Sequence, residues 1–510
     1  MNVIQDLRRR RMANIAALTG ILFSAYLNAV VLTAASSMIV ALPDGARYYA
    51  LSWNLFYLLG AVSMPLAGRL GDILGKKWVF STGIALCLAG AGASFFVGSM
   101  VQFVAARSVI GFGYGVILAN GVSILGEVNP PESRGRYVAL YSAMIGVGQA
   151  VFPSAAGWII ETWGWRWVFP LGAMVGLPAL LLTLRAVPAP RLTGGVRIDW
   201  TGVALLVGTG TCLVMAVNRP QDLLPGLRWW HCVLAAAVFA GLLVKAEQRA
   251  ALPIMPLSLF KNRTFVLSTA AVFALYMAFY PLNTYKSLLG AGVLRLGTLE
   301  NGLLMSVQFV AMALCSGLSG KLVDRTGRLK ELTLLALAIA AGGYAGLCFV
   351  RPDTPAAAVG LYYALIGAST GHLVYAFPLF VQLALPDSQR GTGVGVSGFA
   401  QKIGGTIGSS VANLWFSTVW GGVLGGCAAA AQAVLGDYAF LLDETACSTA
   451  AERLRQAGVT EIPELIAGLQ GGLADGIRCA WLLCLAGVAV CAAFTLFLPG
   501  ARRKRPKETT

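Results

Sequence analysis

Gly68-Arg-Leu-Gly-Asp72-Ile-Leu-Gly75-Lys76-Lys77-Trp78 returns in degenerate form as Gly320-Lys-Leu-Val-Asp324-Arg-Thr-Gly327-Arg328-Leu-Lys330, each time between two long apolar runs. A segment that repeats with the same flanks marks an internal duplication. Each copy reads as a tight turn joining two hydrophobic segments. The glycines at 68/320 and 75/327 supply backbone freedom, one acid sits at Asp72/Asp324, and the basic residues are costly anywhere but the cytoplasmic surface of a membrane.

Composition supports the membrane reading. The chain has 510 residues, 57% of them hydrophobic and 12% charged, with a mean hydropathy of +0.72. Soluble domains carry about a quarter of their residues as charges, so a soluble globule is excluded. Stretches long enough to cross the hydrocarbon core, at roughly 20 residues each, fall near 15–41, 48–68, 78–98, 102–126, 137–160, 167–185, 200–217, 230–246, 265–288, 300–319, 331–349, 356–383, 392–420 and 477–498. The first follows Arg8–Arg11 but is too long for a signal peptide and runs straight into further spans, so it reads as a retained helix.

The net charge of +16 is no nucleic-acid footprint, because the basic residues sit in alternate loops. With the amino terminus in the cytoplasm, Arg8–Arg11, Lys76, Lys77, Arg134, Arg136, Lys261, Arg263, the second repeat turn and the Arg502–Lys507 tail share one side. The positive-inside rule makes that side cytoplasmic and puts both termini there. The expected setting is a bacterial plasma membrane, with the lipid bilayer, a small-molecule substrate and protons as partners, and a monomer, since nothing demands an oligomer. The ten cysteines have no metal-ligand spacing and mostly read as packing residues within spans. Cys427 and Cys447, near the one long exterior loop, could form a bridge or stay reduced.

Residues 1–190 form a first six-helix unit, 191–264 hold two extra spans with linkers, and 265–510 form a second six-helix unit with an exterior loop at 421–476. Each six-helix unit carries the signature turn between its second and third helices. A short helix is expected around 450–457, with no function assigned.

The duplicated turn resembles the loop signature of the major facilitator superfamily of secondary transporters. Ile198-Asp199-Trp200-Thr201-Gly202, Glu247 with Pro253–Phe260, and Trp163-Gly-Trp-Arg-Trp-Val-Phe169 resemble segments of the drug:proton antiporter family with fourteen spans. The resemblance implies an all-α integral membrane protein with the major facilitator fold, two six-helix bundles plus two extra transmembrane helices. It implies export of small amphipathic compounds by proton antiport and alternating access. A dedicated exporter or importer of one metabolite on the same fold, and a membrane sensor or assembly subunit without transport, remain open alternatives. No phosphate-binding lysine loop, metal cluster or cofactor pattern competes, so no enzyme is expected and the energy must come from a gradient.

Several residues could carry chemistry. Asp72, with Gly68, Gly75, Lys76 and Lys77, would form a cytoplasmic gate, with Arg136 as the acid's partner by topology; Asp324, Gly327 and Arg328 form the weaker copy. The alternative is an acid that only stabilises its turn. Arg107 opens Arg107-Ser-Val-Ile-Gly111-Phe-Gly113-Tyr-Gly115 in the fourth span, similar to a motif implicated in proton coupling, although Ile110 stands where glutamine is usual. It either faces the bundle interior or snorkels.

In the fifth span Gly148, Pro153 and Gly157 keep the spacing of the family's antiporter motif, while Phe152 and Ala156 replace two glycines; a kinked packing helix is the plain alternative. The first span lacks the aspartate that relatives usually place there. Proton coupling then falls to other groups, with His372 as carrier beside Arg107. A neutral histidine satisfied by a hydroxyl is the other reading. Lys286 either contacts an anionic substrate or snorkels, and Asn28, Asn54, Gln149 and Gln308 either line a cavity or join helices.

Overall fold

The computed structural model describes residues 6–34, 38, 41–43, 45–130, 133–188, 200–217, 227–249, 253, 255–296, 298–426, 441, 444–456 and 462–499. They form fifteen α-helices: α1 (Leu7–Thr33), α2 (Gly45–Leu70), α3 (Lys76–Phe95), α4 (Met100–Glu127), α5 (Arg134–Trp163), α6 (Val168–Ala186), α7 (Trp200–Val217), α8 (Trp229–Arg249), α9 (Arg263–Leu288), α10 (Thr298–Thr326), α11 (Leu329–Leu347), α12 (Ala356–Ala384), α13 (Arg390–Gly425), α14 (Glu444–Gln456) and α15 (Ile462–Leu496). Helices are the expected solution where no water can pair the backbone. Among the described residues eleven stretches are long and apolar enough to cross a membrane, one running from Leu55 to Phe95 through α2 and α3.

Side chains settle several of the helix ends. Asp6 accepts from the Arg8 amide at 2.9 Å to start α1, and Asn262 accepts from the Phe265 amide at 3.1 Å to start α9. The signature turns are not alike. Residues Gly71–Gly75 form a π-helical turn, and Gly75 then takes φ +93°; in the second copy α10 runs on to Thr326 and Gly327 takes φ +66°. Both positive-φ positions need glycine, as the sequence indicates. Gly68, by contrast, lies inside α2 and is no turn residue.

Packing repeats the sequence duplication. In the first half α1 lies against α4, α5 and α6, α2 against α4, and α3 against α4 and α6. Replacing α1–α6 by α9, α10, α11, α12, α13 and α15 gives the second half's contacts, a pseudo-twofold relation. The halves meet along two seams, α2 with α13 and α5 with α10, and the same replacement exchanges them. The extra pair α7–α8 covers one seam only. Leu206 and Leu243 pack with Leu58 and Val62 of α2 and Ile403 of α13 in a cluster separate from the main core.

Two expectations about the exterior segment change. The short helix covers Glu444–Gln456, earlier than expected, and α13 and α15 extend into the supposed loop, to Gly425 and from Ile462. Cys427, and with it the possible bridge, lies outside the described residues. So do residues 189–199, including Asp199, and Glu132.

Candidate functional site

The end of the bundle that carries both signature turns is the loop end. There the Asp72 carboxylate crosses between the halves. Its Oδ2 accepts from the Thr392 amide and the Thr392 hydroxyl, both at 2.8 Å. Thr392 stands in the first turn of α13, where amides lack intrahelical partners and the helix dipole favours negative charge. Lys76 Nζ reaches Asp72 Oδ1 at 3.1 Å and also pairs with Glu127 at the end of α4.

A methyl added at Gly68 would meet the Gly391 carbonyl carbon at 2.9 Å and Thr392 Cα at 3.2 Å, so this glycine pair lets α2 touch the start of α13. The expected partner Arg136 is not part of this clasp. It is exposed, and the Asp72 oxygens are taken by Lys76, one turn away on the same segment, and by the amide and hydroxyl of Thr392. In the pseudo-twofold the start of α5 is the counterpart of the start of α13. Asp324 is half-buried and Arg328, like Lys77, is solvent-facing or nearly so.

Deeper in the bundle, Arg107 is fully buried rather than snorkelling. It donates to the Leu27 carbonyl at 2.8 Å and lies over the rings of Phe56 and Trp53, at 4.0 and 4.7 Å from their centroids. Gly111 allows this, since a methyl there would meet Phe56 Cα at 2.8 Å. Next to Leu27, Asn28 accepts from Tyr57 at 3.4 Å.

Tyr57 opens onto a group that sequence reasoning missed. Lys402 of α13 is buried, with Nζ at 2.9 Å from the Tyr280 hydroxyl and 3.3 Å from that of Tyr114, and it lies over the rings of Tyr57, Tyr114 and Tyr280 at 5.3, 4.7 and 5.6 Å. Four helices from both halves thus surround one ammonium group. The available signal was a lysine twelve positions into a span, between Gly398 and Gly404.

The other candidates separate. Lys286 is buried, donates to Gln308 at 3.0 Å and lies 4.0 Å from the Phe309 centroid, so two residues named independently meet and the snorkelling alternative falls. His372 is buried between α12 and α11, where its Nε2 contacts the Thr333 hydroxyl at 3.1 Å. That is the plain alternative, a histidine satisfied by a neighbouring hydroxyl inside one half. In α5, Gly148 faces Ala25 of α1, and Gly157 has ordinary room beside Thr33. It is Gly146 that lets α5 approach α10 at Ala313, and Pro153 lies inside a helix that continues to Trp163. Gln149 is half-buried, and the Asn54 side chain lies outside the described ones.

Between the halves, on the loop-end side of Lys402, lies a narrow cleft of about 40 Å³. Met64, Leu118, Val272, Phe377 and Pro378 make most of its wall apolar, and Tyr141, Tyr276, Ser397 and Gln401 add polar points. Mostly apolar walls with a few convergent polar groups suit amphipathic small molecules. The Asp72 clasp closes the floor below it.

Residues 9–409 match the Major Facilitator Superfamily. The multidrug transporter protein MdtP of Bacillus subtilis (strain 168) is 24% identical over 458 residues, 87% of this chain and 84% of that one. Multidrug resistance protein 3 of the same organism is 24% identical over 512 residues, covering 97% and 96%. The multidrug resistance protein Stp of Mycobacterium tuberculosis (strain CDC 1551 / Oshkosh) is 26% identical over 400 residues, covering 76% and 73%. Among solved structures, the proton:xylose symporter XylE superposes with a TM-score of 0.63 at 16% identity over 96% of each chain, a likeness of fold alone. Family and fold are those of transporters and not of enzymes. With the duplicated turn, the two exchanged seams and the cleft between the halves, this multi-pass membrane protein belongs to the Major Facilitator Superfamily.

Proposed function

We propose that this chain is a secondary active exporter of small amphipathic compounds, working by proton antiport and alternating access in a bacterial cytoplasmic membrane. In this reading α1–α13 and α15 are the fourteen spans, both termini are cytoplasmic, the loop end faces the cytoplasm, and the protein acts as a monomer. The observation that carries it is the largely apolar cleft at the junction of the halves, floored by a clasp whose two sides belong to different halves. A clasp of that kind exists in one state and is broken in the other, which alternating access requires. One proton entering down about 150 mV supplies roughly 3.5 kcal/mol, about a 300-fold substrate gradient.

Reconstitution in proteoliposomes tests the reading. A panel of amphipathic dyes should move when a pH gradient is imposed, and a protonophore should stop the movement. Flux that ignores the protonophore removes proton antiport, and no flux across the panel removes export. The second reading, a dedicated carrier of one metabolite, is favoured by the absence of any acid from α1. It predicts unchanged drug susceptibility in a strain expressing the protein.

A further inference from the structure

The site's charge is one-sided. Lys402 is buried thirteen residues into α13 among neutral hydroxyls and rings, whereas the acids with buried side chains among the described residues, Asp72, Glu127 and Glu247, lie in the signature turn or in the last turns of α4 and α8. A cation removed from water keeps a large desolvation cost unless a partner restores it. Neutral hydroxyls and ring faces restore only part. Lys402 meets its partners one helical turn from residues that line the cleft. Gly398 and Gln401 line the cleft on α13, Leu118 on α4 and Tyr276 on α9. Lys402, Tyr114 and Tyr280 each stand four residues, one helical turn, from one of these and on the same face. The tyrosine-held ammonium therefore stands one helical turn beyond the lining of the cleft, as its roof one layer up.

Resting on the export reading above, we propose that the substrate is an amphipathic organic anion, its carboxylate or sulfonate held by Lys402 with the hydroxyls of Tyr114 and Tyr280, and its apolar body lying along Met64, Leu118 and Phe377. A hydroxyl that now accepts from Lys402 can instead donate to an oxyanion, so the cage serves both the empty and the loaded site. A cationic substrate would meet a positive roof and no buried acid among the described cleft-lining residues.

The test uses full-length protein in proteoliposomes and three probes sharing one naphthyl-alkyl body, ending in a carboxylate, a carboxamide or a trimethylammonium group. Wild type should carry the carboxylate at least about tenfold faster than the ammonium, the size of one charge contact. Lys402→Met should cut carboxylate flux by about tenfold or more and leave carboxamide flux within about threefold, while Lys402→Arg keeps the carboxylate preference. Tyr280→Phe, which keeps the ring and removes one hydroxyl, should raise the carboxylate KM by about threefold to tenfold; it decides the matter if Lys402→Met does not fold. Faster ammonium flux in wild type, or an unchanged carboxylate-to-carboxamide ratio in both variants, overturns the anion assignment and leaves export standing. Absence of flux for all three probes in wild type overturns the assignment together with the export reading.

Discussion

Asp72 shows how much one carboxylate can hold when its partners belong to different parts of the chain. It accepts two hydrogen bonds from Thr392 across the seam and pairs with Lys76 on its own side. Asp72→Asn keeps the shape and one acceptor but loses the charge that the α13 dipole favours, worth about 1–2 kcal/mol in a partly buried geometry. The loop end should then stay closed about fivefold to thirtyfold less often, and dye flux should fall strongly while the protein still inserts and purifies as a monodisperse species. Flux close to wild type would leave the acid as a turn stabiliser. His372 leads to the opposite expectation. Its Nε2 already has the Thr333 hydroxyl, and its ring lies between two helices of one half. Glutamine can keep that contact, so His372→Gln should retain gradient-driven flux within about twofold; loss of the pH dependence alone would restore histidine as the proton carrier.

Among the elements, α13 carries the most separate duties. Its first turn receives Asp72, for which Gly391 leaves room, Gly395 lets α2 approach, the glycines at 404 and 408 let α9 approach, and Lys402 stands between the two sets. A methyl at Gly408 would meet Met277 Cα and carbonyl carbon, so Gly408→Ala forces α9 and α13 apart and should cost about 1–3 kcal/mol. A melting temperature in detergent lowered by several degrees is the expected reading, and an unchanged one would mean that the seam adjusts freely. Much of this element's surroundings was legible. The repeated turn and the extra pair at α7–α8 follow from hydropathy and internal repetition, whereas for Arg107 the sequence left burial and snorkelling both open. The Asp72–Arg136 pairing failed because topology brings the two loops to the same end but cannot say that Lys76 and Thr392 take the Asp72 oxygens while Arg136 stays exposed. Lys402 was not legible because its hydroxyl partners lie 288 and 122 residues away, on α4 and α9, and only packing brings them together.

For the molecule as a whole, the two seams are exchanged by the pseudo-twofold yet held differently. The α2–α13 seam has the Asp72 clasp and the cover of α7–α8, whereas α5 meets the second half through Ser316 donating to the Ala139 carbonyl and Ser142 donating to that of Gly371. Opening should therefore begin at one seam. Hydrogen exchange of the Asp72→Asn variant should rise in the first turn of α13 and in residues 71–75, and stay unchanged at Ser99–Phe103 at the far end of α4; uniform acceleration would indicate general destabilisation instead. The roof of the cleft has a consequence for electrical behaviour. If an anion neutralises Lys402, the substrate-loaded carrier crosses without net charge in its site, while the return stroke, which under antiport brings the coupling proton, moves positive charge. Each unit charge moved through the full field is worth about 2.3 kcal/mol per 100 mV. Voltage then governs the substrate-free return stroke and leaves the loaded stroke nearly indifferent, so potential clamped by potassium and valinomycin should alter the turnover rate at saturating substrate far more than it alters exchange of substrate for substrate.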